Sequence, residues 1–225
     1  MNDAVVLNYH DSLLRESDVR LLEPPAWLND RLIGFFFDYL EHEYADRAAE
    51  TSSFVTPDVA QLIKLADDDE IAFVADSLRL STKSYVFVVV NDSESTTTAT
   101  NNDGTGSHWS LLVYTRHDNA FRHYDSSPFA SNASSARRTA LKLTPYLFAA
   151  NPRFVDVADC PKQANGYDCG VHVVSVADYL ARHYFGDDRR SIGEAVDASV
   201  VVAQRRRLHD LIYGLAREQR ESQAT

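Results

Sequence analysis

Gln163-Ala164-Asn165-Gly166-Tyr167-Asp168-Cys169-Gly170 is a polar turn that runs straight into an apolar stretch. In that stretch Val173, Val176, Ala177 and Leu180 recur at helical spacing. The spacing predicts a helix over 169–184 with Cys169 at its N-terminus. There the positive end of the helix dipole and the unpaired N–H groups favour thiolate over thiol. Gly170 brings no side chain to obstruct a carbonyl carbon approaching the sulfur. A cysteine in this setting is a candidate nucleophile; the competing reading is a small buried hydrophobe. Gln163 lies six residues upstream, across a turn containing Gly166. Its amide can swing beside the Cys169 N–H, and two such donors form an oxyanion hole.

A cysteine nucleophile needs an imidazole base, and the base needs an orienting group. Both can come from a hairpin upstream. His108-Trp109-Ser110 opens a predicted strand over 108–115, and Tyr124-Asp125-Ser126 closes another over 120–126, with a turn at 116–119. An even loop, four residues at 115–118 or four at 116–119, puts His108 and Asp125 on one sheet face, directly opposite or diagonal. His108 can then take the thiol proton while Asp125 holds its other N–H. A surface cross-strand pair is the alternative, and His123 competes for the role of base. Only the His108–Asp125 pair sits beside a tryptophan and a long polar segment, 91–107, rich in Ser, Thr, Asn and Gly. A loop of that length in a compact domain is more often functional than decorative. The chain order His, Asp, Gln, Cys differs from the Cys, His, Asn order of the papain type, so the scaffold differs too.

The rest of the chain surrounds these segments with helices. Tyr85-Val86-Phe87-Val88-Val89-Val90 reads as a strand buried on both faces. Segment 4–9 reads as a short strand, with Asp11, Ser12 and Ser17 as plausible caps nearby, and 154–157 as another strand. Helices are expected over about 30–47, with Asn29 as N-cap, from Pro57 onward, and over 67–78, 131–150 and about 199–221. Helices flanking a central group of strands make an α+β layout in a single domain over 1–225, its core about 4–185.

Composition narrows the function. Across 225 residues, 44% are apolar and 24% charged, which excludes wholesale disorder. Lys and Arg total 22 against 33 Asp and Glu, a net charge of −11 that disfavours nucleic-acid binding. Charges cancel over 187–225, so the acidic excess lies in 1–186. Arg205-Arg206-Arg207 falls in a helical pattern with Leu208, Leu211, Ile212 and Leu215 and reads as a solvated helix face. Two cysteines, Cys160 and Cys169, cannot build a disulfide framework and point to a reducing compartment. The N-terminus has no signal-peptide pattern and no apolar run approaches a membrane span, so an intracellular protein is expected.

His108-Trp109-Ser110, Tyr124-Asp125-Ser126 and Gln163…Asp168-Cys169-Gly170 together resemble the motifs of the ubiquitin-like-protein-specific cysteine proteases, the sentrin/SUMO protease (Ulp/Senp) family. The stretch Val5-Val6-Leu7…Asp11-Ser12-Leu13-Leu14…Pro24-Pro25-Ala26-Trp27-Leu28-Asn29-Asp30 resembles the deneddylase branch, which processes the modifier of the neddylation pathway. The resemblance runs over about 4–184. It implies a papain-like architecture of the adenain/Ulp type, a central mixed sheet flanked by helices. It also implies His108 as base, Asp125 as orienter, Cys169 as nucleophile and Gln163 as oxyanion donor. Trp27 and Trp109 match a pair that roofs a narrow channel for a Gly-Gly terminus. Asp30 matches an acidic position that meets the modifier's Arg-bearing tail, and 91–107, beginning at Asn91, matches a loop that reorders on binding. The reaction implied is cleavage after that Gly-Gly, in precursors or in isopeptide conjugates such as those of cullins, by a monomer in cytoplasm and nucleus. Such covalent catalysis needs no metal or cofactor. Rival readings are the same chemistry on SUMO or ubiquitin, an acetyltransferase built on a related site, and an inactive binding module.

Overall fold

The computed structural model describes residues 3–94, 108–129 and 131–223. In chain order, the hairpin β1 (Val5–Tyr9) and β2 (Ser12–Arg15) leads to α1 (Glu16–Val19), α2 (Asp30–Glu43) and α3 (Ala45–Ala48). Then come β3 (Ser52–Val55), α4 (Pro57–Leu65), α5 (Asp68–Ser77), β4 (Tyr85–Asn91), β5 (Trp109–Thr115) and β6 (Ala120–Tyr124). The chain continues through α6 (Ala133–Leu143), β7 (Arg153–Asp156), α7 (Cys169–Phe185), α8 (Ile192–Ala195) and α9 (Ala198–Gln223).

The unbroken apolar run of β4 is explained by its place inside a five-stranded sheet ordered β3-β4-β5-β6-β7. Its side chains alternate between two cores, Phe87 and Val89 on one face, Val86, Val88 and Val90 on the other. The first core is closed by α2, α7, α9 and the β1-β2 hairpin, through Leu7, Leu14, Phe35, Val173, Leu208 and Ile212 among others. The second is closed by α4, α5 and α6, through Ala60, Ile63, Ala75, Ala136 and Leu143. The sheet is mixed: β3 and β7 run parallel to their neighbours, while β4-β5 and β5-β6 are antiparallel. This is the expected α+β architecture, a central mixed sheet flanked by helices.

Several boundaries differ from the sequence reading. The segment read as caps around Ser12 is strand β2, paired with β1. β3 was not anticipated: it is four residues long and begins with two serines, so it carries no alternation to read. The helix expected over 131–150 ends at Leu143, and Thr144–Leu147 tightens into a 3-10 turn around Pro145, which has no N–H to donate to an α-helical ladder. No helix among the described residues is long and apolar enough to cross a membrane.

Candidate active site

The register of β5 and β6 brings the first two site residues together. Pairing runs from Leu111↔Tyr124 to Thr115↔Ala120, so the loop is 116–119. By continuation Asp125 faces Ser110, and His108, two residues further, is its diagonal neighbour. The His108 Nε2–H donates to Asp125 Oδ1 at 2.6 Å, and both side chains are buried. The carboxylate is itself fixed from behind. Ser127 N donates to Oδ1 and Asn132 N to Oδ2, each at 2.9 Å.

These contacts set the charges. Burial pushes the Asp125 carboxyl up, but the hydrogen bond from His108 and those from the Ser127 and Asn132 N–H groups outweigh it and hold it down at about 2. Burial likewise opposes an imidazolium at His108. The hydrogen bonds and charges of Asp125 and Cys169 outweigh it and raise the ring to about 9. Since Nε2 is committed to Asp125, Nδ1 is the nitrogen left for the sulfur.

Cys169 is the first residue of α7, and its thiol is buried within hydrogen-bonding reach of His108. Asp168 occupies the N-cap position, yet its side chain makes no cap hydrogen bond. Its carboxylate is held instead by Asn165 Nδ2 at 2.7 Å and by Arg205 Nη2 at 2.7 Å. The first-turn N–H groups of α7 are therefore free of a side-chain cap and can stabilise negative charge at the sulfur or on an approaching oxygen. Gly170 has a different reason from the one expected. A Cβ there would lie 3.0 Å from Leu28 Cβ and 3.2 Å from Ile33 Cδ1, so the glycine lets α7 press against the segment that follows Trp27.

Gln163 is oriented on both sides. Ser126 Oγ donates to its Oε1 at 2.7 Å, and its Nε2 donates to Asn165 O at 2.7 Å. The second Nε2 hydrogen remains, on the turn that leads into Cys169. Gln163 N also donates to Ser126 O at 2.8 Å, which ties this turn to the segment just past β6 that carries Asp125.

The residues implied by resemblance are placed unequally. Trp109 is buried in the first core, whereas Trp27 is 37% exposed just before α2. Asn29 caps α2 by accepting from Leu32 N at 3.0 Å and anchors to Asp18 by donating at 2.8 Å. Asp30 follows in the first turn, half-buried, and lines an open groove with Asp11, Asp38, Glu41 and Asp58. Asn91 was expected to meet the modifier, but it is buried and turned inward. Its Oδ1 accepts from Ser93 N at 2.7 Å and its Nδ2 donates to His108 O at 3.4 Å. Residues 95–107 of the expected loop lie outside the described residues. His123 is no rival base: Asp156 holds its Nδ1 and Ser110 Oγ its Nε2, both at 2.9 Å. The Cys160 thiol is buried and pushed up to about 12 by that burial.

Three contributors were not read from the sequence. Asn132 Nδ2 donates to His108 O at 3.0 Å. Lys64, buried, donates to Asn91 O at 2.7 Å and to Ser93 O, which holds the backbone leaving β4. Arg205 was read as part of a solvated face, yet it is 7% exposed and bound to Asp168. A signal was available. Position 205 falls on the stripe Val201, Leu208, Ile212 and Ala216, the buried side of α9, whereas Arg206 points to solvent and pairs with Asp210.

A thiol at a helix N-terminus beside an Asp-oriented imidazole, on this mixed sheet, is the equipment of a cysteine peptidase. The profile described as "Ulp1 protease family, C-terminal catalytic domain" matches residues 26–213, and the chain belongs to that family. It is 38% identical over 218 residues to sentrin-specific protease 8 of Homo sapiens, covering 96% of this chain and 100% of that protein. It is 32% identical over 200 residues to NEDD8-specific protease 1 of Arabidopsis thaliana, covering 88% of this chain and 85% of that protein. Among solved structures, the C-terminal Ulp1 protease domain in complex with Smt3, the yeast ortholog of SUMO, shares the fold with a TM-score of 0.69 at 19% identity. That alignment covers 96% of this chain and 90% of the other. The family is one of proteases and lends no support to the acetyltransferase alternative.

Proposed function

We propose that this protease cleaves after the C-terminal Gly-Gly of a ubiquitin-like modifier, and that the modifier is that of the neddylation pathway. The observation that supports the reaction is the His108 ring bonded to Asp125, with the Cys169 thiol buried at the start of α7 and acting on the ring's charge. His108 Nδ1 takes the Cys169 proton, and the thiolate attacks the carbonyl carbon of the terminal glycine. The oxyanion is met by the Cys169 N–H and the remaining Nε2 hydrogen of Gln163. The intermediate collapses as the imidazolium protonates the leaving amine. A water deprotonated by His108 then attacks the thioester and restores the thiol.

Trp27 lines the approach of the tail, the buried Trp109 backs the site next to His108 in the chain, and Asp30 pairs with the tail's Arg. Asn91 acts from behind, holding the His108 carbonyl. The choice of modifier is supported by the NEDD8-specific protease among the relatives. Precursor maturation and release from target lysines, cullins among them, belong to the same reading. So does a single monomeric catalytic unit working in cytoplasm and nucleus. The test is hydrolysis of a modifier C-terminal amide by the wild type and by Cys169→Ala. The variant should lose turnover to the limit of detection; retained turnover would overturn the mechanism. Covalent capture by electrophilic forms of the neddylation modifier, SUMO and ubiquitin separates the substrates, and only the first should react rapidly.

A further inference from the structure

Arg205 stands outside the reaction just described, yet it touches both walls of the site. From α9 its Nε and Nη2 donate to Asp168 Oδ1 at 3.0 and 2.7 Å, one residue before the candidate nucleophile. The same Nη2 donates to Ala26 O at 2.8 Å and reaches Tyr167 O at 3.4 Å, while Nη1 donates to Leu21 O at 2.9 Å. The guanidinium carbon also lies 5.6 Å from the centre of the Tyr167 ring. One side chain thus joins the Leu21–Ala26 turn, which delivers Trp27, to the Tyr167–Asp168 turn, which delivers Cys169. Gly170 records the same closeness from the other side, since Leu28 fills the space a Cβ would need.

A buried arginine could be a fold support and no more. Its contacts argue otherwise. The donors end on backbone carbonyls and a carboxylate beside the two functional positions, a planar fork that a lysine ammonium cannot reproduce. We propose that Arg205 is a positioning residue for the reaction. It fixes Trp27 relative to the sulfur, so that a tail passing Trp27 arrives with its carbonyl in line. This rests on the modifier-protease reading above. Asn165 still holds Asp168 Oδ2 when Arg205 is replaced, so the surroundings of the thiol change little.

The test compares wild type, Arg205→Gln and Arg205→Lys. Capture by the electrophilic neddylation modifier should fall about tenfold or more in both variants, because a misplacement of about 1 Å is enough for such a loss. Alkylation by iodoacetamide, read at Cys169 by peptide mass, needs no channel and should stay within about threefold of wild type. Arg205→Lys retains the ion pair and should melt close to wild type, so its loss of capture is not a folding defect. In a Trp109→Phe background, where Trp27 is the sole tryptophan, acrylamide quenching should increase in both variants. Unchanged capture, or capture and alkylation falling by the same factor, overturns the proposal. A wild-type chain that is alkylated but captured by no modifier overturns the functional reading instead; the quenching measurement then still decides whether Arg205 fixes Trp27.

Discussion

The His108 ring has one nitrogen for each of its neighbours, and its charge depends on both. Asp125, held down at about 2, stays a carboxylate throughout the working range, so it never ceases to favour the imidazolium. The His108 proton, raised to about 9, is therefore present at neutral pH and available to the leaving amine. A raised pKa places the loss on the alkaline side: the protonated form is complete well below 9 and disappears as pH rises through it. Hydrolysis of the modifier amide should accordingly show an alkaline limb near 9. Asp125→Asn removes the charge but not the burial, so it should move that limb to lower pH and cut kcat by about 10²–10⁴-fold. A rate that stays level to about pH 10 would show that His108 is not the acid. At this scale the candidate site was legible as a juxtaposition: strand alternation put His108 beside Asp125, and the apolar period put Cys169 at a helix start. Asn132 and Lys64 were not. They act by donating to backbone carbonyls of residues far along the chain, and no local pattern announces such a bond.

Among the elements, α7 and the start of α2 match the sequence reading because each carries a strong apolar period and a recognisable start, although α2 ends at Glu43, short of the expected 47. β3 and the 3-10 turn after α6 do not, since a four-residue strand has no room for a period and Pro145 sits inside an otherwise helical composition. The contact between elements was the harder inference. Gly170 was read as clearance for substrate, and the structure shows it as clearance for Leu28 and Ile33. Those two readings predict different outcomes for Gly170→Ala. If only substrate needed the space, the variant would fold normally and lose turnover alone. With Leu28 Cβ at 3.0 Å and Ile33 Cδ1 at 3.2 Å, a new methyl forces α7, or Leu28 and Ile33 opposite it, to give by a few tenths of an ångström. Overpacking of this kind costs about 1–3 kcal/mol, so the unfolding midpoint in urea should drop along with activity. Undiminished stability would return the glycine to its first interpretation.

Over the whole molecule, the net charge of −11 has no counterpart in the proposed chemistry, which uses one carboxylate. Part of it gathers in the groove where Asp11, Asp30, Asp38, Glu41 and Asp58 outnumber a single cation, Arg31, beside the first turn of α2 and close in sequence to Trp27. We propose that this groove receives a cationic tail, Asp30 being its residue nearest in sequence to Trp27. Charges that face solvent from such a groove act over about 10 Å at 0.1 M salt and over much less at higher ionic strength. Their effect should therefore appear in association and not in the chemical step. Raising salt from about 0.05 to 0.5 M should lower kcat/KM for the modifier amide several-fold through KM, with kcat nearly constant. Alkylation of Cys169 by neutral iodoacetamide should not respond. Asp30→Asn should flatten the salt dependence while leaving alkylation alone, which ties the effect to this groove and not to net charge at large. A salt response identical in wild type and Asp30→Asn would assign the acidity to solubility, and the groove would have no part in receiving the tail.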